Sequence, residues 1–148
     1  PSANSKMAEN LFKLNHFFGL SEYKIRAKKM TSLIQPMLFQ KPLKYANWLQ
    51  STCNFTFPFY EIAITGPLAI DKMNLLLPFY LPNSVISTSA SKSGLYLLKD
   101  RHDPIDSYYY VCENNFCKIP VQSIDELFTL IDTKVEDLIY NPKFFKEQ

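Results

Sequence analysis

Apolar positions recur at helical spacing over the first third of the chain, and they predict three helices. The first is expected to end at Gly19, because glycine is the common residue at a helix C-terminus. Ser21 is predicted to cap the second helix, which Pro36 is expected to kink or end. Pro42 suits the first turn of a third helix. The apolar positions of the first two helices are Met7, Leu11, Leu14 and Phe18, then Tyr23, Ala27, Met30, Ile34 and Met37.

Near Thr56 the pattern changes from helical to strand spacing. Residues 61–65 form a short buried-strand pattern that Gly66-Pro67 ends. Apolar residues at helical spacing follow over Ala69–Tyr80, and Ser84–Ser89 is predicted as a second strand. This order predicts a β-α-β unit in which the two strands are parallel.

A hairpin and a capped helix are predicted for the last part of the chain. A short strand is expected at Leu95–Leu98, and Tyr108–Tyr110 is expected to pair with 116–121 around a tight turn at Asn114-Asn115. Ser123 and Glu126 form a capping-box pattern. The helix that they start is predicted from six apolar positions and should end before Asn141: Ile124, Leu127, Phe128, Ile131, Val135 and Leu138.

These elements predict an α+β or α/β fold in two parts. Residues 1–55 are expected to be helical, and residues 56–148 to form a small mixed sheet with the order β-α-β then β-β-α. Thioredoxin-like folds share this core order and carry their dithiol just after the first strand. That place holds Thr65-Gly66-Pro67-Leu68, so thioredoxin chemistry is not expected in this chain.

Charge divides the 148 residues in the same way. Residues 1–50 hold eight Lys or Arg against two Asp or Glu, whereas residues 51–148 hold eight against twelve. The basic residues lie mostly opposite the apolar positions of the second predicted helix, which is typical of a solvated face, and no nucleic-acid partner is expected. No apolar run approaches the roughly 20 residues of a membrane helix, and no membrane partner is expected.

The chain starts at Pro1 with no signal-peptide pattern, and we interpret it as a piece of a longer protein. Three cysteines are too few for a disulfide-stapled secreted scaffold, which favours a cytoplasmic protein. The three glycines are isolated, which argues against a phosphate-binding loop. His102 with Cys112 and Cys117 gives only three candidate ligands at the wrong spacing, so neither metal nor cofactor is expected.

Cys112 and Cys117 are expected to face each other across the hairpin, within reach of a disulfide bond. Neither a helix N-terminus nor a basic cluster accompanies them in the sequence. The favoured prediction is therefore two reduced, buried thiols. They should share a face with Tyr110 and Ile119 and pack against the helix that begins at Ser123. A redox-responsive pair is the alternative.

Four short motifs, in order, resemble a known family. Tyr110-Val111-Cys112-Glu113-Asn114, with Cys117 and Pro120, resembles the C-terminal motif of the YyaL-type, or spermatogenesis-associated, thioredoxin-domain proteins. Residues 1–5 resemble the family's Pro-Ser-Gly-Asn-Ser, with Ala3 in place of glycine. Residues 61–66 are similar to its Glu-Ile-Val-Ile-Val-Gly strand, and residues 81–83 to its Leu-Pro-Asn turn.

The resemblance implies a large cytosolic protein of unestablished activity. Such a protein has an N-terminal thioredoxin-like domain and a toroid of helical hairpins, similar to N-acylglucosamine epimerases and six-hairpin glycosidases. Residues 1–55 would be the last toroid helices, and residues 56–148 the small C-terminal α/β domain. The partner would then be the rest of the same chain, its toroid and its thioredoxin-like domain.

Two functions follow from the resemblance. In the first, the chain is a structural and interaction module that completes the toroid and docks on it. In the second, Ser2, Asn4 and Ser5 line the toroid mouth and contact a carbohydrate substrate, although short polar residues there are also what a helix N-cap requires. A third hypothesis is that Cys112 and Cys117 form a second thiol pair served by the thioredoxin domain. The chain alone is not expected to be an enzyme.

Overall fold

A computed structural model of the chain describes residues 2–114 and 116–131. These residues divide into two compact units, one reaching to Phe59 and including Leu95–Leu97, the other formed by Tyr60–Gly94 and the residues from Leu98 onward. The first unit is helical, and the second is a small mixed sheet with two helices. The predicted α+β class, a helical segment followed by a small mixed sheet, is confirmed.

Helix α1 (Ala3–Phe18) has polar and backbone caps at its two ends. The Ser2 side chain accepts a hydrogen bond from the Ser5 N–H at the N-terminus. Gly19 takes the left-handed conformation (φ 69°) and donates its N–H to the carbonyl of Asn15. The predicted end of this helix at Gly19 is confirmed.

Two details of the following helices differ from the sequence prediction. Helix α2 runs over Ser21–Gln40, so Ser21 is its first residue and not its cap, and the cap position at Leu20 makes no side-chain bond. Pro36 lies inside α2, so it does not end the helix, and the alternative expectation of a kink stays a prediction. Pro42 starts a 3₁₀ turn, Pro42–Tyr45, and α3 follows over Ala46–Thr56.

Interior side chains of the first unit come from all three helices. Ala8, Leu38 and Trp48 form one buried cluster. The ring of Phe12 makes edge contacts with His16, Phe55 and Phe59, with centroids 4.6 to 4.8 Å apart. Such T-shaped ring pairs contribute stability beyond that of the apolar area that the rings bury.

The sheet of the second unit has four strands among the described residues, in the order β2-β1-β3-β4. The strands are β1 (Tyr60–Thr65), β2 (Ser84–Ser89), β3 (Tyr108–Glu113) and β4 (Phe116–Cys117). Strands β1 and β2 are parallel, as predicted, whereas β1 with β3 and β3 with β4 are antiparallel.

Helix α4 connects β1 to β2 and is shorter than predicted. It runs over Ala69–Leu76 and stops well before Tyr80. Pro78 accounts for the early end, because a proline disfavours helical backbone at the residue before it and cannot donate an N–H. The strand expected at Leu95–Leu98 is wrong: these residues lie in turns, although Leu97 and Leu98 are buried.

Helix α5 (Ile124–Leu130) begins with the predicted capping box. The Ser123 hydroxyl accepts from the Glu126 N–H, and the Glu126 carboxylate accepts from the Ser123 N–H. Val135 and Leu138, which were assigned to the same helix, lie outside the described residues.

The two faces of the sheet differ in composition. Ile62 and Ile64 of β1, with Tyr109 and Val111 of β3, face a core shared with α4 and α5. The opposite face carries the alternate residues of the same strands: Glu61, Ala63, Thr65, Tyr108, Tyr110 and Cys112. Cys112 is therefore on the face turned away from α5, and the predicted packing of the cysteines against that helix is wrong.

Among the described residues, no helix has the length and apolar character that crossing a membrane would require.

Candidate functional site

The β3–β4 hairpin brings Cys112 and Cys117 directly opposite each other, as the sequence predicted. The Lys118 N–H donates to the Val111 carbonyl. Val111 and Lys118 are therefore a hydrogen-bonded pair, and the adjacent pair, Cys112 and Cys117, is a non-hydrogen-bonded one. Side chains of a non-hydrogen-bonded antiparallel pair approach most closely. The two Cα atoms are 3.9 Å apart, and the two sulfurs form a disulfide bond. Asn114, in the turn, has the positive φ that such a turn requires.

The prediction of two reduced, buried thiols is corrected for the bond and for the burial of Cys117, whereas the burial of Cys112 is confirmed. The sulfurs are bonded, because the register leaves them within bonding reach. Cys112 is fully buried, whereas Cys117 is exposed because β4 is a two-residue edge strand. The two ends of the bond therefore differ in their access to a reagent in solution.

Ile119 does not lie over the buried face that was predicted for it. Tyr109 pairs with Val121. The register set by Cys112 and Cys117 would instead pair Tyr109 with Pro120, so the returning segment contains one extra residue. One extra residue between these pairs is a bulge, and a bulge changes the face to which the following side chains point. Ile119 is 84% exposed.

Arg101 places its guanidinium group against both sulfurs. Its Nη2 atom lies 3.3 Å from the Cys112 sulfur and 3.3 Å from the Cys117 sulfur. The same guanidinium stands 5.7 Å from the centre of the Tyr110 ring, a cation–π contact. The sequence contains no basic cluster beside the cysteines, but the fold brings the Arg101 guanidinium to the bond.

The backbone of Arg101 is held on two sides. Its carbonyl accepts a hydrogen bond from the Thr65 hydroxyl of β1, and its N–H donates to the carbonyl of the buried Leu98. These bonds fix the origin of the side chain relative to the central strand. The position of the guanidinium is therefore a property of the fold.

The loop between Arg101 and β3 is ordered by a side-chain turn. The Asp103 carboxylate accepts from the N–H groups of Asp106 and Ile105, and these bonds hold the pKa of Asp103 below its ordinary value. Burial raises the pKa of Tyr110, which lies under the guanidinium. The loop is thus fixed next to the site by its own hydrogen bonds.

Glu61 lies on the same face of the sheet as the cysteines. It is opposite Cys112 in the pairing of β1 with β3, and it is buried. The site therefore combines a disulfide, a guanidinium and a buried carboxyl group. Arg101 and Glu61 were not predicted as site residues, because only strand register and loop closure bring them to Cys112.

Within residues 2–114 and 116–131, no group of three His, Cys, Asp or Glu side chains is arranged to hold a metal ion. His102, considered above as a third ligand, is not brought into such a group.

The three residues assigned to a toroid mouth do not act alike. The Ser5 hydroxyl donates to the Ser2 carbonyl at 2.8 Å, and the Ser5 N–H donates to the Ser2 hydroxyl, so both serines form the N-cap of α1. They also line a cavity of about 250 Å³, whereas Asn4 is exposed and does not line it. The other lining residues are Lys44, Tyr45, Asn47 and Trp48.

The helices of the first unit leave many large apolar side chains exposed. On α1 these are Met7, Leu14 and Phe18, and Met7 and Phe18 are each 52% exposed. On α2 they include Ile25, Leu33, Met37 and Phe39. We refer to Met7, Leu14 and Phe18 as the α1 stripe.

No protein-family model, curated protein or solved structure matches this chain.

Proposed function

We propose that this chain is the C-terminal structural and interaction module of a larger cytosolic thioredoxin-domain protein. In this proposal the module completes the helical toroid of that protein and docks on its neighbouring hairpins. The motifs quoted above support the identity of the larger protein, and the exposed α1 stripe supports the docking. The stripe is the observation that carries the proposal.

The α1 stripe is a second apolar face on a helix that already has a core face. At about 100° per residue, Met7, Leu14 and Phe18 fall within about 40° of one another around the helix. Phe12, which is buried among aromatic rings, lies about 140° from Met7 on the same scale. A helix with apolar side chains in two directions is typical of an element covered on two sides.

Helix α2 shows the same property more weakly. Its buried residues are Ala27, Thr31 and Leu38. Ile25 is 67% exposed and, at about 100° per residue, points about 160° away from Ala27. Arg26 and Lys29 are interleaved with these exposed apolar residues, so the outer face of α2 is part apolar and part charged. The α1 stripe consists of apolar side chains alone.

The spacing of the α1 stripe indicates what covers it. Residues separated by seven and four positions form the seam along which one helix packs beside another. Consecutive helical hairpins of a toroid would supply such helices at each neighbouring position. We therefore assign the stripe to a helix of the same longer protein.

A binding experiment tests this assignment. The helical region encoded upstream of residue 1 and this chain are produced as two polypeptides and mixed, and association is measured by native mass spectrometry and calorimetry. We expect a one-to-one complex. Replacing Met7→Asp and Phe18→Asp should weaken it at least tenfold, because each charge would be buried against an apolar surface. Lys6→Asp, at an exposed position of α1 about 100° from Met7 around the helix, is the matched control.

Two outcomes would contradict the proposal. One is a gene whose upstream region encodes neither a Cys-x-x-Cys thioredoxin domain nor helical hairpins. The other is a complex that the stripe variant forms as tightly as the unmodified chain, with circular dichroism showing that the variant is folded.

The cavity at the α1 N-terminus supports a second candidate function, contact with a carbohydrate in the full-length protein. The aromatic side chains of Tyr45 and Trp48, next to Ser2, Ser5 and Asn47, form a mixed apolar and hydrogen-bonding lining of the kind that small polar ligands use. Trp48 is the single tryptophan of the chain, so its fluorescence reports on this cavity.

Titration of the full-length protein with N-acetylglucosamine tests this second candidate, and the same titration of its Trp48→Phe variant isolates the fluorescence of Trp48. A saturable change in Trp48 fluorescence that Asn47→Ala removes and Asn10→Ala preserves would support it. Fluorescence that does not respond at millimolar sugar would exclude the cavity as a site for this sugar.

A further inference from the structure

The hairpin disulfide combines an exposed sulfur, a buried sulfur and a cation that contacts both. We infer that Cys112 and Cys117 form a thiol–disulfide exchange site, in which Arg101 stabilises the leaving thiolate and a protein dithiol is the reaction partner. This function is independent of the docking proposed for α1.

Access decides which sulfur a thiolate attacks. Cys117 is exposed on the short edge strand, whereas Cys112, on β3 between β1 and β4, is fully buried. Exchange requires an approach to one sulfur from outside. The incoming thiolate therefore attacks Cys117, and Cys112 is the leaving group.

Arg101 stabilises the charge that appears at Cys112. Its Nη2 atom is 3.3 Å from that sulfur before the bond breaks, so no rearrangement is needed when the thiolate forms. A stabilised thiolate is a better leaving group, and exchange is faster when the leaving thiol is the more acidic one.

The exchange sequence balances in two steps. In the first, a partner thiolate forms a bond to the Cys117 sulfur, the Cys112–Cys117 bond breaks, and its electron pair leaves on Cys112. In the second, the other thiolate of the same partner attacks its own mixed disulfide and releases the Cys117 thiolate. The partner dithiol is then oxidised to a disulfide, the cysteine pair has gained two electrons, and the protons of the partner thiols pass to Cys112 and Cys117 or to solvent.

Exposed apolar side chains around Cys117 favour a protein as the source of the dithiol. Phe116 precedes Cys117, points to the opposite face of the two-residue strand and is 83% exposed, and Ile119 is comparably exposed two residues after Cys117. Large apolar groups on a hairpin tip suit contact with another protein surface. A small thiol would not need such an apolar contact surface.

Reduction kinetics of the folded chain test the site. With Cys53→Ala as background, because Cys53 is a free thiol, the disulfide is reduced by dithiothreitol or by a purified reduced thioredoxin, and free thiols are alkylated and counted by mass spectrometry. Arg101→Gln should slow reduction about tenfold, as expected for the loss of a charge-assisted contact of about 1.4 kcal/mol. Arg101→Lys should recover part of the rate. Lys99→Gln, an exposed cation of the same loop, should change it less than about twofold, since exposed charges are screened.

A trapping experiment tests the order of attack. In the same Cys53→Ala background, Cys112→Ser should accumulate an adduct on Cys117 after incubation with oxidised glutathione, since no second thiol resolves it. Cys117→Ser should accumulate little, because Cys112 is buried. An adduct on Cys112 in preference to Cys117, or equal rates for Arg101→Gln and Lys99→Gln in folded proteins, would overturn the exchange site.

A substitution of Phe116 distinguishes the two thiol sources, a protein dithiol and a small thiol reagent. Phe116→Ser should slow reduction by thioredoxin and leave reduction by dithiothreitol unchanged. Equal effects on both reagents would overturn the assignment to a protein partner.

Discussion

A β-carbon placed on Gly66 would lie 2.2 Å from the carbonyl oxygen of Asp106, a backbone atom of the loop that carries Arg101 to the cysteines. Gly66 also has φ +113°, a backbone conformation that favours glycine. It follows β1 directly, so the end of the central strand and this loop approach more closely than any other residue type permits. Substitution must move one of them.

Gly66→Ala is therefore expected to destabilise the second unit by about 3 kcal/mol or more, as overpacking combined with backbone strain does. Gly94→Ala is the matched control, since a β-carbon there meets nothing within 4 Å. Urea unfolding followed by circular dichroism measures both. An unfolding free energy of Gly66→Ala equal to that of Gly94→Ala would contradict the close approach.

The capping box of α5 gives a second prediction. Ser123→Ala removes the hydroxyl that accepts from the Glu126 N–H, and it should cost about 1 kcal/mol of unfolding free energy. Ser21→Ala should stay within about 0.5 kcal/mol, because Ser21 begins α2 without occupying its cap position. Equal costs for the two substitutions would mean that the Ser123 cap contributes nothing.

Glu126 makes the stability of α5 dependent on pH. Hydrogen bonds from the Ser123 N–H and the Ser123 hydroxyl lower the pKa of Glu126 from its ordinary value of 4.5. A lowered folded pKa means that the contribution is present above pH 4.5 and is lost as the pH falls through the folded pKa. Unfolding free energies measured between neutral and acidic pH should decline less steeply in Glu126→Gln. An identical decline would show that the carboxylate is not the group responsible.

The disulfide gives a prediction about stability that is separate from its exchange chemistry. Replacing both Cys112 and Cys117 by alanine removes the cross-link of a very short loop, so we expect a loss of about 2 kcal/mol from the chain-entropy relation. Reduction of the unmodified protein should lower its unfolding free energy by a similar amount. Addition of a reductant to the double alanine variant is the control and should change nothing.

Local pattern determined most of the elements. The helical spacing before Gly19, the run at 61–65 and the Ser123–Glu126 box each depend on interactions between residues a few positions apart. The hairpin also follows from local chemistry, because a turn between flanking strands places Cys112 opposite Cys117 whatever the rest of the fold does. Such features are present in the sequence itself.

Tertiary structure decided which way the cysteines face and what lies beside them. Alternation along β3 allows either Tyr109 and Val111 or Tyr110 and Cys112 to face α5, and packing with Ile62 and Ile64 selects the first pair. Arg101 reaches the sulfurs only because its loop is bonded to Thr65, 36 positions away along the chain. The spacing of residues along the sequence does not predict the contact between Arg101 and the sulfurs, since this contact depends on how the loop packs against the folded sheet.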